Sequence, residues 1–289
     1  MKATAISRIV PFSMSSSIPQ PILRSPLRLA LGKALYRAKR RIEWHLPGRN
    51  YATTRQAEDL PHLHSKHGTP MLRELSGVDM QLQRNKVESL RVAASCIDGV
   101  ILNPGETFSF WWMVGKPSAA RGFKVGLVLR NGTIHQDVGG GLCQMTNLIY
   151  WMAIHTDLQI VERWRHGFDV FPDAGRTQPF ASGATCAYNY IDLQIRNPTQ
   201  QRFQLRLTTK EEWLHGQWRA EYPPAHHFEV FEKEHAIRQE FWGGYSRHNE
   251  IWRRRMDAQR SIVLGEELVS ENHAIMMYEP LLPSPQSAT

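Results

Sequence analysis

Residues 138–147 read VGGGLCQMTN, with three glycines running straight into Leu142, Cys143 and Gln144. Glycine tolerates positive φ and close backbone approach, so the run marks a sharp turn. The apolar spacing that follows predicts a helix over residues 141 to about 156. Before the turn, residues 124–130 and 133–136 flank Asn131-Gly132, and a two-residue Asn-Gly loop between apolar runs is the strongest short signal for a β-hairpin. After the helix, LQIVERW (158–164) reads as a strand. Residues 184–208 read as β-rich, since Leu193 and Ile195 alternate with polar residues and Phe203, Leu205 and Leu207 do likewise. Asn197-Pro198-Thr199 would be the turn of this second hairpin. Hairpin, helix, strand, loop and hairpin in that order predict an α+β fold of antiparallel β-hairpins packed around a central cysteine-bearing helix, with N-terminal helices and a C-terminal extension.

Working outward, Phe108, Phe110 and Trp112 alternate after the Asn103-Pro104-Gly105 turn and predict the start of a sheet. Residues 78–97 carry Met80, Val87, Leu90, Ala94 and Ile97 at helical spacing. Residues 1–25 are Ser/Pro-rich and are expected to form a poorly ordered leader. Residues 26–77 supply a basic amphipathic helix, with Leu27, Leu31, Leu35 and Ile42 among arginines and lysines and Pro47-Gly48 as its stop, and then a linker. Such a helix suits either an anionic membrane surface, over residues 26–46, or the domain's own core. The main domain is expected over 78–210. Residues 211–289, aromatic and charged beyond Tyr222-Pro223-Pro224, read as the C-terminal extension.

A chain of 289 residues with 42% hydrophobic and 21% charged side chains can bury a core, which excludes fibrous and disordered classes. No apolar run approaches the roughly 20 residues of a spanning helix, and SMSSS and two prolines interrupt the region where a signal peptide would need about 7–15 apolar residues. The expected location is therefore the cytoplasm or the inner face of the membrane. Cys96, Cys143 and Cys186 are an odd number at no metal-like spacing, and neither a disulfide framework nor a metal or other cofactor is expected. The net charge of +8 is concentrated near both ends. It suits an anionic partner, but no nucleic-acid motif accompanies the basic and aromatic residues of 241–255, so no nucleic acid is expected.

Cys143 falls in the first turn of its helix, where the positive end of the dipole favours thiolate and backbone N–H groups can serve as oxyanion donors. The competing reading is a sandwiched helix in which the thiol fills a small space. A thiolate nucleophile needs a histidine to move protons, and His166 enters an irregular loop 23 residues on. His155 lies about 18 Å along the same helix, too far for a direct pair. Asp169, Asp173 and Asp192 are candidate orienting groups for His166. Gly141, Gln144, Asn147, Tyr150 and Asp192 are candidates for substrate or oxyanion contacts.

NPGETFSFW (103–111), RGFKVGLVL (121–129), GGGLCQ (139–144), NLIYW (147–151), IVERWRH (160–166) and DLQIRN (192–197) together resemble the VanW family. The likeness covers roughly residues 80–210, with GGGLCQ its most specific element. It departs at Gly183, where many relatives carry Asp before Ala-Thr, and at Trp164, where a histidine often stands. The resemblance implies a link to the bacterial cell envelope and glycopeptide resistance. It also implies an L,D-transpeptidase-like acyl transfer, or a hydrolysis, on peptidoglycan-type peptides, with Cys143 as nucleophile and His166 as base. The alternative is a non-catalytic accessory protein that binds envelope precursors or a membrane partner. The expected partner is accordingly a cell-wall precursor or peptide substrate.

Overall fold

The chain enters its core through a helix cap. Asp79 accepts the Gln81 N–H at 2.8 Å and starts a helix that buries Val87, Leu90, Ala94 and Ile97, the face the spacing predicts. In chain order the elements are α1 (Pro26–Trp44), β1 (His62–Pro70), α2 (Met80–Ile97), β2 (Val100–Leu102), β3 (Thr107–Ser109), α3 (Phe110–Val114), β4 (Val125–Arg130), β5 (Thr133–Val138) and α4 (Cys143–Ala153). There follow β6 (Gln159–Glu162), β7 (Phe168–Asp169), β8 (Gln194–Arg196), β9 (Phe203–Lys210), β10 (Trp213–Ala220), β11 (His226–Gln239), β12 (Tyr245–Asp257) and β13 (Val263–Met276). The structure, a computed structural model, describes residues 22, 24–46, 48, 50–72, 79–130, 132–170 and 178–280. Almost all of the expected leader lies outside them, as do Pro47, Val78, Asn131 and Asp173.

The fold is α+β. One four-stranded sheet runs β1-β10-β9-β2, a second β11-β12-β13-β7, a three-stranded sheet β3-β8-β6, and β4 pairs with β5 alone. α4 lies across β1 and β10 and is buried nearly all round, from Met145 and Thr146 to Met152 and Ala153. Trp218 of β10 is fully buried, and Gly216 passes so close to α4 that a Cβ there would stand 2.4 Å from the Met152 Cε.

The β4–β5 hairpin forms in the expected register, Arg130 opposite Thr133, and Gly132 takes φ +78°. Two local expectations are corrected. Phe110 and Trp112 are helical, because the Ser109 hydroxyl caps the Trp112 N–H at 3.2 Å while the Asp192 carboxylate takes the Trp111 N–H at 3.0 Å and ends the strand. The stretch 184–208 is not a hairpin either. β8 pairs with β3 and β6, whereas β9 pairs with β10 and β2. At the junction Pro198 has no N–H for a ladder, and Asn197 spends its amide on the carbonyls of Leu102 and Gln201.

The main sheet draws on segments from either side of the expected 78–210 core, β1 before it and β10 after it. The C-terminal strands also reach into the body of the fold. β13 pairs in parallel with β7, placing Ile275 beside Phe168, and the Ile275 N–H donates to Gly167 O at 3.0 Å. Helix α1 does dock on the domain, but through the side opposite its leucines. Arg40 is buried with its Nη2 donating to both Glu162 carboxylate oxygens at 2.6 Å, and Trp44 meets Trp112 edge-on at 5.6 Å. Among the described residues no helix is long and apolar enough to cross a membrane.

Candidate functional site: a cysteine at a helix start

The three glycines bring two backbones into contact. Gly139 and Gly141 take φ +81° and +89°, and Gly140 lies against Gly126 of β4 so tightly that a Cβ on it would stand 2.2 Å from the Gly126 carbonyl. The hairpin is thereby pressed onto the turn, which delivers Cys143 as the first residue of α4. Leu142, at the N-cap, supplies no side-chain cap, and the Gln144 and Met145 amides turn back onto the Gly141 and Leu142 carbonyls at 3.1 and 3.0 Å.

The Cys143 side chain is half-buried and faces the segment 184–186. Its Sγ lies 3.3 Å from the Thr185 hydroxyl, the Cys186 backbone N–H donates to it at 3.5 Å, and the Cys186 S–H donates to it across 3.8 Å. In the thiol form Cys143 has the Cys186 carbonyl as acceptor at 3.7 Å. The hydrogen bond from the Cys186 thiol is the largest influence holding the Cys143 thiol well below its ordinary range. Burial opposes it, and the hydrogen bond and charge of His166, then the Thr185 hydroxyl, reinforce it. Cys186 is the mirror image, since burial and the adjacent Cys143 push its thiol well above that range. Of the two, Cys143 is thus the thiol that ionises more readily.

His166 is exposed, and its backbone is held where β7 joins the C-terminal sheet through the Gly167 and Ile275 bond. Thr185 is held from two sides. Its N–H donates to Trp164 O at 2.8 Å, and the preceding Ala184 N–H donates to the Asn147 Oδ1 at 2.7 Å. Gly183 lies directly on that amide, where a Cβ would come within 2.4 Å of Oδ1. Arg163 holds the preceding loop by donating to the Gly183 and Ala181 carbonyls, and it is braced by Asn272 of β13 at 3.1 Å.

The structure therefore gathers Cys143, His166, Thr185 and Cys186, with Gly141 in the turn and Asn147 supporting the facing segment. Other predicted residues serve elsewhere. Gln144 ties α4 to β1 by donating to the Pro70 carbonyl at 2.7 Å. Tyr150 is buried in the core beneath the Arg163 guanidinium. Asp169 accepts from Tyr278 at 2.9 Å and pairs with Arg247 at 3.5 Å. Asp192 is fully buried among the Ser109 hydroxyl at 2.5 Å and the Trp111 and Leu193 amides. Thr185 and Cys186 had no assigned role in the sequence, since no spacing links them to Cys143. Among the described residues no group of three or more His, Cys, Asp or Glu side chains is arranged to hold a metal ion. A depression of about 430 Å³ opens by Phe168, Trp242 and Tyr278, and neither thiol lines it.

Asp192 makes its own prediction. Burial pushes its carboxyl up to about 7 against the hydrogen bonds that favour the anion. The folded state then binds a proton more readily than the unfolded chain between about pH 4 and 7, so the contribution of this group is fully present below pH 4 and is lost as pH rises to 7. Wild type minus Asp192→Asn stability, from chemical denaturation, should fall by up to about 4 kcal/mol over that window.

The α+β frame thus sets a cysteine at the start of a helix, with Thr185 and Cys186 facing its sulfur. The chain belongs to the VanW-like protein family, whose model matches residues 85–219 and so includes all four gathered side chains. It is 35% identical over 199 residues to the vancomycin B-type resistance protein VanW of Enterococcus faecalis, covering 69% of this chain and 71% of that protein. It is 28% identical over 124 residues to an uncharacterized protein, YoaR, of Bacillus subtilis, covering 43% of this chain and 39% of that one. No solved structure matches it.

Proposed function

We propose that the protein is a cysteine-dependent acyl-transfer enzyme acting on peptide or amide groups of the bacterial cell envelope, in the context of vancomycin resistance that its Enterococcus relative carries by name. The observation that carries this reading is the position of Cys143 as the first residue of α4, with the Thr185 hydroxyl, the Cys186 N–H and the Cys186 thiol at its sulfur and His166 beside it. In the reaction the Cys143 Sγ adds to the substrate carbonyl, and the Cys143 backbone N–H at the helix start receives the developing oxyanion. His166 gives a proton to the leaving amine as the carbon–nitrogen bond breaks, leaving a thioester. An incoming amine, or water for hydrolysis, loses its proton to His166 as it attacks, and the Cys143 thiolate departs.

The test is intact-protein mass spectrometry during incubation with envelope-type stem peptides. A mass increase equal to the acyl fragment should appear on wild type and vanish in Cys143→Ala, and His166→Ala should slow its formation by about 100-fold or more. Turnover that persists in Cys143→Ala would overturn the proposal. Peptide binding without an adduct, unaffected by Cys143→Ser, would establish the accessory-binding role instead.

A further inference from the structure

Helix α1 carries its apolar stripe on the outside. At roughly 100° per residue, Leu27, Leu31, Leu35, Ala38 and Ile42 fall within an arc of about 80°. The large members are 70%, 62%, 67% and 63% exposed for Leu27, Leu31, Leu35 and Ile42 respectively. Arg28 and Lys39 border one edge of the stripe and Arg41 the other, all exposed. The opposite side fixes this orientation. Tyr36 stacks with Tyr190 at 6.5 Å, Arg37 donates to Tyr188 O at 3.1 Å, Arg40 is buried on Glu162, and Trp44 meets Trp112. Rotating the helix to bury its leucines would break the Arg40 pair and turn a second row of cations inward.

We propose that α1 is a docking helix for an anionic lipid surface, lying in the plane of the interface with its leucines among the acyl chains and its bordering cations on the lipid phosphates. The stripe needs an apolar medium, and the cations at its edges need anions at the same depth, a combination that an anionic bilayer supplies. A second copy of this helix would instead bring like charges together along the rims. The face against the domain grips residues 188–190, which begin two residues after Cys186, so the docked lipid surface would lie about one helix diameter from the segment facing the Cys143 sulfur. This inference stands on α1 alone and holds whether or not Cys143 is catalytic.

The experiment is co-sedimentation of the full chain with vesicles of phosphatidylcholine alone or with about 30% phosphatidylglycerol. Binding to the anionic vesicles should exceed binding to the neutral ones by about tenfold or more and should weaken as salt is raised. The triple variant Leu31→Gln, Leu35→Gln, Ile42→Gln should lose about tenfold or more of that binding. Its melting temperature should stay near that of wild type, because the three side chains are mostly exposed. Absent binding, equal binding to neutral vesicles, or an unaffected variant would overturn the proposal. So would sedimentation velocity showing a dimer that the triple variant abolishes while lipid binding is absent, because the stripe would then be a homodimer face.

Discussion

With fully reduced protein at pH 7, iodoacetamide is expected to alkylate Cys143 at least about tenfold faster than Cys96 or Cys186. Alkylation follows the thiolate, and three donors converge on the Cys143 sulfur while His166 adds charge. Cys186 is disfavoured twice, by burial and by the anion beside it. Cys96 supplies the internal control, half-buried near the Arg121 guanidinium at 3.6 Å. The rate at Cys143 plotted against pH should inflect below the free-thiol value of about 8.5. Cys186→Ala removes the largest stabilising donor and should raise that inflection, slowing the reaction at pH 7 several-fold at unchanged fold. Peptide mapping after timed quenching reads all three sites in one experiment. Equal rates would remove the thiolate, and the proposed chemistry with it. Reduction beforehand matters, because sulfurs 3.8 Å apart are close enough for an oxidant to bridge them and hide the nucleophile.

The parts of the fold legible in the sequence are those fixed by local rules. Asn131-Gly132 specifies its hairpin by turn chemistry, and α2 by period and cap. The strands that escaped are specified by distant neighbours. β1, HLHSKHGTP, has almost no apolar alternation and is a strand because β10 lies along it from Pro70 opposite Trp213 to His62 opposite Ala220. The charged C-terminal segments are strands for the same reason, with cross-strand pairs such as Arg254 with Glu229 and Glu266 in place of an apolar face. The site divides in the same way. Cys143 announces itself through its glycines, whereas Thr185 and Cys186 arrive from a loop whose course is set by Arg163, Asn147 and the C-terminal sheet. α1 shows the converse limit. Its amphipathicity is plain in the sequence, yet which side meets the protein is decided by Arg40 and Glu162, 122 residues apart.

Gly140→Ala should destabilise the protein by about 3 kcal/mol or more, among the largest effects of any single methyl addition here. The added Cβ would stand 2.2 Å from the carbonyl carbon and oxygen of Gly126 and 2.7 Å from the Leu127 nitrogen. All three are backbone atoms of a paired strand, so no side-chain rotation relieves the clash and the hairpin must lift from the turn. Gly32→Ala is the matched control. It sits in α1 with nothing within 4 Å of the new methyl, and it should be neutral or stabilising by up to about 1 kcal/mol through helix propensity. Urea denaturation of the two variants against wild type measures the difference directly. The same clash acts on the chemistry, because a hairpin displaced from the turn releases the φ +81° and +89° glycines that aim the first turn of α4. Any Gly140→Ala protein that remains folded should therefore lose the fast alkylation of Cys143 while keeping that of Cys96. If Gly140→Ala proves as stable as Gly32→Ala, with Cys143 still fast, the contact between turn and hairpin does not hold the thiol in place, and the three glycines need another explanation.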